Sequence, residues 1–222
     1  MLDNTDGLLS LFIAAIEFVL IINLLIFAEK NKVNKHVIVL LFILGIYQFV
    51  EFLICGVGYN TSLWGYLAIL SVSFMPPLSL FVILVYLNFD SRLNLILFSP
   101  ALFFAFYYPT VMEQFTVSNC TAIYVMYNYP LGFLYGIFYY TPILAVILLL
   151  LYKTYLNVDV KKVKLGKVLL YGYSLTFIPA FIFTRVVPNM LEAVESIICT
   201  FAFMLFLTLS YFVLKNKTIE KT

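Results

Sequence analysis

Residues 36–57 read HVIVLLFILGIYQFVEFLICGV, and this stretch decides the fold of the chain. Its side chains are almost all apolar, with an amide at Gln48 and a carboxyl at Glu51. An α-helix needs about 20 such residues to cross the roughly 30 Å of hydrocarbon in a bilayer. The stretch therefore predicts a transmembrane helix that carries two polar side chains inside the membrane.

Six further stretches have a similar length and apolar character, at residues 7–28, 62–88, 93–110, 131–152, 168–187 and 189–214. Only 11% of the residues are charged and 64% are hydrophobic, whereas a soluble domain has about 25% charged residues. Asp3 and Asp6 precede the first stretch in place of a basic segment, so we expect a retained helix rather than a cleaved signal peptide. The prediction is one all-α domain over residues 1–222, a polytopic membrane protein with a bundle of seven transmembrane helices.

The lysine and arginine residues predict the orientation of this bundle. Twelve of the thirteen fall in connections on one side of the predicted helices, and only Arg185 falls on the other side. Basic residues stay on the cytoplasmic side of membrane proteins with short loops. We therefore predict an outside N-terminus and a cytoplasmic C-terminus, in the plasma membrane or an inner membrane. The net charge of +2 follows from this topology, so the expected partner is the lipid bilayer and no nucleic acid is expected.

Cys55 and Cys120 are predicted to lie on the same outer side, at the end of helix 2 and in the connection 110–130. A disulfide bridge in an oxidising compartment is one interpretation, and unpaired small packing residues are the other. We favour the unpaired state. The same connection carries Tyr124, Tyr127 and Tyr129, whose amphipathic rings suit the membrane interface, so we expect it to lie on the membrane surface as a lid.

The connection predicted at residues 153–167 is basic, with lysines at 153, 161, 162, 164 and 167. These lysines either fix the topology and touch anionic lipid, or form a docking surface for a cytoplasmic protein partner. Prolines at 76, 77, 100, 142 and 179 are expected to bend helices 3 to 6. We favour static kinks over functional hinges.

Six polar side chains are predicted to lie in the outer half of the membrane and form a candidate ligand-binding site: Glu17, Gln48, Glu51, Arg185, Glu192 and Glu195. An ionisable group costs about 2.5 to 3.5 kcal/mol or more at the bilayer centre, so those that remain are candidates for function. If helices 1, 2, 6 and 7 are neighbours, the six side chains line one pocket open to the outside. The alternative is structural, with Arg185 neutralising a glutamate while Gln48 and Glu51 bond to neighbouring helices.

Other site chemistries find little support in the sequence. His36 is the single histidine, too few for a zinc hydrolase, and helix 7 has no lysine before Lys215 for a retinal Schiff base. A metal site is conceivable only from two pairs spaced four apart, Glu51 with Cys55 and Glu195 with Cys199. Spacing assembles no nucleophile, base and orienting group. No catalytic residue, resident metal or cofactor is therefore predicted, and enzyme activity is not expected.

Several of these residues carry a family resemblance. The stretch YQFVEF at 47–52, the proline-containing third helix and ESIIC at 195–199 resemble an uncharacterised family of small microbial and viral seven-helix membrane proteins with Gln-x-x-Glu in helix 2. The layout of SLW at 62–64, PP at 76–77 and SPA at 99–101 is also similar to the N-terminal seven-helix sensor region of bacterial histidine kinases. The second resemblance implies a sensor that needs a partner to report.

Two functions follow as hypotheses. The first is an integral membrane sensor or receptor-like protein that binds a small ligand or cation in an outward-facing pocket between helices 1, 2, 6 and 7. The alternative is a secondary transporter or channel that uses the buried carboxylates, since carboxyls and broken helices also suit coupled ion movement.

Overall fold

The computed structural model describes residues 7–89, 92–121, 124–156, 160–186 and 194–217, with backbone only at 92–93, 155, 160–161, 183–186 and 194–195. Almost all of this is helical. The α-helices are α1 Leu8–Phe27, α2 Lys32–Cys55, α3 Ser62–Ser73, α4 Met75–Tyr86, α5 Ser99–Tyr107, α6 Gly132–Leu156, α7 Val160–Val186 and α8 Val194–Lys215. Two 3-10 helices flank α5, at Arg92–Phe98 and Tyr108–Gln114, and a hairpin pairs β1 Thr116–Cys120 with β2 Val125–Asn128.

Within the described ranges, seven helical segments are long and apolar enough to cross a membrane, which confirms the predicted helix count and indicates an integral membrane protein. Helices α3 and α4 together form the third segment, and α5 with its flanking 3-10 turns forms the fourth, Asn94–Gln114. The predicted connection 153–167 is mostly wrong, because α6 continues to Leu156 and α7 begins at Val160. Lysines favour helix and extend their charged ends toward water, so these helices continue past the apolar residues.

The third segment breaks where its two prolines begin. Helix α3 ends at Ser73, and Pro76 and Pro77 occupy the first turn of α4, where a helix needs no backbone N–H from them. The predicted bend is therefore a break between two helices, whereas Pro142 and Pro179 lie inside the uninterrupted helices α6 and α7.

Helix α2 organises the bundle, because it packs against α1, α3, α4 and α8. Helix α1 also packs on α8, α8 on α7, α7 on α6, and α6 on α4. The predicted neighbourhood of helices 1, 2 and 7 is thus present as α1, α2 and α8, with α7 joined to it through α8. Gly172 allows the close contact of α7 and α8, since a Cβ placed there would clash with Oγ1 of Thr208.

The hairpin covers the end of the bundle at which α1 begins and α2 ends, here called the hairpin end. Cys120 of β1 is joined to Cys55 of α2 by a disulfide, with the two Cα atoms 5.7 Å apart. The expectation of unpaired cysteines is therefore wrong, because the connection folds back as a hairpin over α2. One face of the hairpin is buried, at Val125 and Tyr127 of β2, and so is Phe115 just before β1. The hairpin therefore lies on the bundle as a lid.

The opposite end carries Lys32, Lys153, Lys162 and Lys215 and is called the lysine end. There the fully buried Asn34 joins the start of α2 to the end of α8. Its Nδ2 donates to the carbonyl oxygens of Glu29 at 2.9 Å, Val213 at 3.3 Å and Asn216 at 3.1 Å. Its Oδ1 accepts from Nδ2 of Asn216 at 2.9 Å, so both functions of the amide are satisfied.

Candidate functional site

Three of the six predicted site residues lie together in the interior, where α1, α2 and α8 meet. Glu17 and Gln48 are 0% exposed and Glu51 is 1% exposed. Arg185 lies on α7 and Glu195 on α8, but their side chains, like Glu192 as a whole, lie outside the described residues. The structure therefore places three of the six residues at the contact among α1, α2 and α8, and ligand binding there stays a prediction.

Glu51 accepts hydrogen bonds from all three of these helices. Its Oε1 accepts from the hydroxyl of Tyr47 at 2.6 Å, one turn earlier on α2, and from the hydroxyl of Ser196 on α8. Its Oε2 accepts a longer bond of 3.4 Å from the hydroxyl of Ser10 on α1. A carboxyl in this position holds three helices in register through neutral donors.

The hairpin is attached to this group at two points. The backbone N–H of Val125 donates to Oγ of Ser196 at 2.8 Å, and Ser196 in turn donates to Glu51. The second attachment is the disulfide at Cys55, one helical turn after Glu51. Movement of the hairpin therefore acts directly on the hydrogen bonds of Glu51.

Gln48 lies one turn below Glu51 on the same face of α2. Its Nε2 donates to the carbonyl oxygen of Cys199 on α8 at 2.9 Å. Its Oε1 is buried and accepts no hydrogen bond within the described part of the chain. The amide thus uses its donor for packing and leaves its acceptor unused.

Glu17 lies deeper in the bundle, opposite Gly45 of α2. A Cβ placed on Gly45 would lie 3.6 Å from Oε2 of Glu17, an ordinary van der Waals distance, so the carboxyl packs against α2 at this position. Among the residues that the structure describes, neither carboxyl oxygen has a hydrogen-bond partner. A polar group buried without a partner costs about 1 to 3 kcal/mol in proteins, and more if it is charged.

The side chains of Glu51, Gln48 and Glu17 form one polar column along α2. Ser10 faces Glu51 and Glu17 faces Gly45, so the two levels are about 9 to 10 Å apart at ~1.5 Å per residue. We define the polar column by the side chains of Ser10, Glu17, Tyr47, Gln48, Glu51 and Ser196. It begins beneath the hairpin with satisfied groups and ends at Glu17 with unsatisfied acceptors.

The structural interpretation accounts for Gln48 and Glu51, and the ligand-binding interpretation stays a prediction. Gln48 and Glu51 bond to neighbouring helices, as the structural interpretation predicts, whereas Glu17 has no such bond in the described residues. Sequence reasoning missed Ser10, Tyr47 and Ser196. Only Tyr47 carried a signal, because it precedes Glu51 by four residues on one helix face; serine hydroxyls in helices usually bond to their own backbone.

The polar column is rich in oxygen acceptors and poor in the thiolate and imidazole ligands that transition metals prefer. No group of three or more His, Cys, Asp or Glu side chains comes together within the described residues. The conceivable Cys and Glu metal set also loses Cys55, whose sulfur is in the disulfide and offers no thiolate. The remaining acceptors, carboxyl and amide oxygens, suit a hard cation or a ligand that carries N–H or O–H donors.

Comparison of the chain with models of protein families, with curated proteins and with solved structures gave no match. The resemblance of Gln48 and Glu51 to the Gln-x-x-Glu of seven-helix membrane proteins stays a prediction.

Proposed function

We propose that the chain is an integral membrane sensor or receptor-like protein that binds a small cation or a hydrogen-bond-donating ligand in the polar column. The observation that carries the proposal is the pair of buried acceptors without partners, the Glu17 carboxyl and Gln48 Oε1. A ligand with donors or positive charge would satisfy such acceptors.

The polar column lies beneath the hairpin, so the side of the membrane on which the hairpin lies bears on where a ligand would come from. Two lines of chemistry support a hairpin end outside the cell. Disulfides such as Cys55 to Cys120 persist in oxidising compartments, and lysines such as Lys153, Lys162 and Lys215 at the other end favour the cytoplasm. The proposed location is the plasma membrane or an inner membrane, with an outside N-terminus and a cytoplasmic C-terminus.

Helix α8 would carry the response across the bundle. It supplies Ser196 and the Cys199 carbonyl to the polar column, and its other end is held by Asn34 through Val213 and Asn216. A ligand that shifts α8 against α2 would thus change the lysine end as well. A cytoplasmic protein partner at residues 153–167 would read this change.

Thermal unfolding of the full chain in detergent tests the binding step. Sodium, potassium and ammonium would be titrated against choline at equal ionic strength, since choline has no N–H donor and is bulky. We expect one of the small cations to raise the Tm of the parent, because a ligand at 100 times its Kd adds about 2.7 kcal/mol of stability. Glu17→Gln is expected to abolish the shift.

Ser210→Ala is the matched control. Ser210 is also buried on α8 with no partner for its hydroxyl in the described part of the chain, but it lies 11 residues beyond Cys199, about 16 Å along the helix. It is expected to keep the parent response. An equal shift in Glu17→Gln and the parent, or no shift with any small cation, would count against a cation ligand in the column.

A secondary transporter remains the second candidate, favoured by the break between α3 and α4 at Phe74. Discontinuous helices occur at the binding sites of transporters. Flux of a labelled cation into proteoliposomes separates the two functions. Saturable flux that is lost in Glu17→Gln supports the transporter, whereas binding without flux supports the sensor.

A further inference from the structure

A second polar site lies at the lysine end, separate from the polar column. A cavity of about 220 Å³ opens among the end of α4, the end of α6 and the beginning of α7. It is smaller than the ~300 to 1,000 Å³ of sites for drug-sized ligands, yet several times the ~30 Å³ of one water molecule. Its size therefore suits a headgroup or an inorganic ion with bound water.

The lining of the cavity combines basic, polar and apolar residues. Lys153 and Lys162 line it together with Asn88 and Thr154, and Leu150 is one of three leucines in its wall. None of the described lining residues is acidic. Two ammonium groups with amide and hydroxyl donors nearby favour an anion.

The side chains around the cavity are held in place by specific contacts. The ammonium group of Lys153 lies 4.8 Å from the ring centroid of Phe89, and the hydroxyl of Tyr86 donates to the carbonyl oxygen of Lys162 at 3.1 Å. Gly166 admits Thr154, because a Cβ on Gly166 would lie 2.7 Å from the Thr154 hydroxyl. The start of α7 is thus fixed against α4 and α6 around the cavity.

We propose that this cavity binds a phosphate group through Lys153 and Lys162, either as a free phosphate or as the headgroup of an anionic lipid. Lysine binds phosphate as a compact positive charge. The leucines of the wall would contact the first carbons of a lipid, whereas a free phosphate would contact only the basic and polar residues of the lining. The proposal is independent of Glu17 and of the ligand in the polar column.

Binding to the full chain in detergent tests the proposal with three probes. The probes are inorganic phosphate, a short-chain phosphatidylglycerol and a short-chain phosphatidylcholine, which has the same phosphate but no net charge. Lys153→Gln and Lys162→Gln remove the charge and keep a polar, slightly shorter side chain. Lys164→Gln is the matched control, since Lys164 is an exposed lysine on α7 that does not line the cavity.

We expect phosphatidylglycerol or phosphate to raise the Tm of the parent, and phosphatidylcholine to bind at least tenfold more weakly than phosphatidylglycerol. Each cavity variant should raise the Kd about tenfold, the equivalent of one charge-assisted hydrogen bond, while Lys164→Gln stays within twofold. Response to phosphate alone identifies a soluble ligand, and response to phosphatidylglycerol alone identifies a lipid. An equal loss in Lys164→Gln, or no response to either anion, would overturn the proposal.

Discussion

Helix α2 buries polar side chains near both ends, and the two places treat them differently. At the lysine end, Asn34 uses both donor and acceptor, with three backbone carbonyls and Asn216 as partners. In the polar column, Gln48 leaves one acceptor unused, and Glu17 on α1 leaves two within the described residues. A satisfied buried amide stabilises the fold, whereas an unsatisfied acceptor costs stability unless a ligand completes it. The comparison separates a structural clamp from a candidate binding site.

Removal of the disulfide is expected to have the largest effect, and it falls on the hairpin end. Cys55→Ala with Cys120→Ala should lower the free energy of unfolding by about 4 kcal/mol, the chain-entropy value for cysteines 65 residues apart. Chemical or thermal unfolding in detergent measures the loss. Cys199→Ala controls for a buried thiol outside the bridge. A loss below about 1 kcal/mol would show that the hairpin end does not depend on its covalent link.

Loss of the hydrogen bonds of Asn34 at the lysine end should have the next largest effect on stability. Asn34→Leu removes every hydrogen bond of the amide, including the buried bond to the carbonyl oxygen of Val213, so we expect a loss of about 3 kcal/mol. Asn23→Leu is the control, because Asn23 is exposed and bonds only to the backbone of its own helix, at Val19; its effect should stay within about 0.5 kcal/mol. Equal effects of the two variants would remove one side of the comparison.

A smaller effect is expected where the column meets the hairpin. Ser196→Ala removes one donor to Glu51 and the acceptor of the Val125 N–H, which should cost about 1 to 2 kcal/mol. Hydrogen exchange at Val125 should become faster as the hairpin loosens. Ser71→Ala serves as the control, since that hydroxyl bonds only to Leu67 in its own helix. Unchanged exchange at Val125 would mean that the hairpin is held by the disulfide and its apolar contacts alone.

The smallest effect on stability is expected at Glu17. Glu17→Leu removes no hydrogen bond seen in the described residues, so in the absence of ligand the stability should stay within about 1 kcal/mol of the parent or rise. The same variant should abolish the cation response. A loss above about 2 kcal/mol without ligand would show that Glu17 is a structural residue like Asn34.

The helices could be predicted from the sequence, whereas the partners of the buried groups could not. Apolar length is a local property, so 36–57 was sufficient to place α2, and Gln48 and Glu51 share a face because they are three residues apart. The start of α7 was predicted too late, since the lysines that interrupt its apolar character continue the helix. Hydropathy measures entry into the membrane, and it does not measure where a helix ends in water.

Apart from the bond of Tyr47 to Glu51, the unpredicted contacts described above join residues distant in sequence. Ser196 meets Glu51 across 145 positions, and Cys120 reaches Cys55 only because the chain after the fourth segment folds back as a hairpin. Asn34 lies in a stretch that reads as a polar connection, yet it is fully buried. Such pairings depend on the arrangement of the helices, which the one-dimensional pattern leaves open.

The most direct test is an experimental structure, at a resolution that shows bound ions and water, of the full chain in a lipid nanodisc. If the polar column binds a ligand, we expect density for an ion or a small polar molecule within hydrogen-bond distance of both the Glu17 carboxyl and Gln48 Oε1. Tight apolar packing around Glu17 with no density beside it, or a protein donor that satisfies the carboxyl, would contradict ligand binding in the polar column.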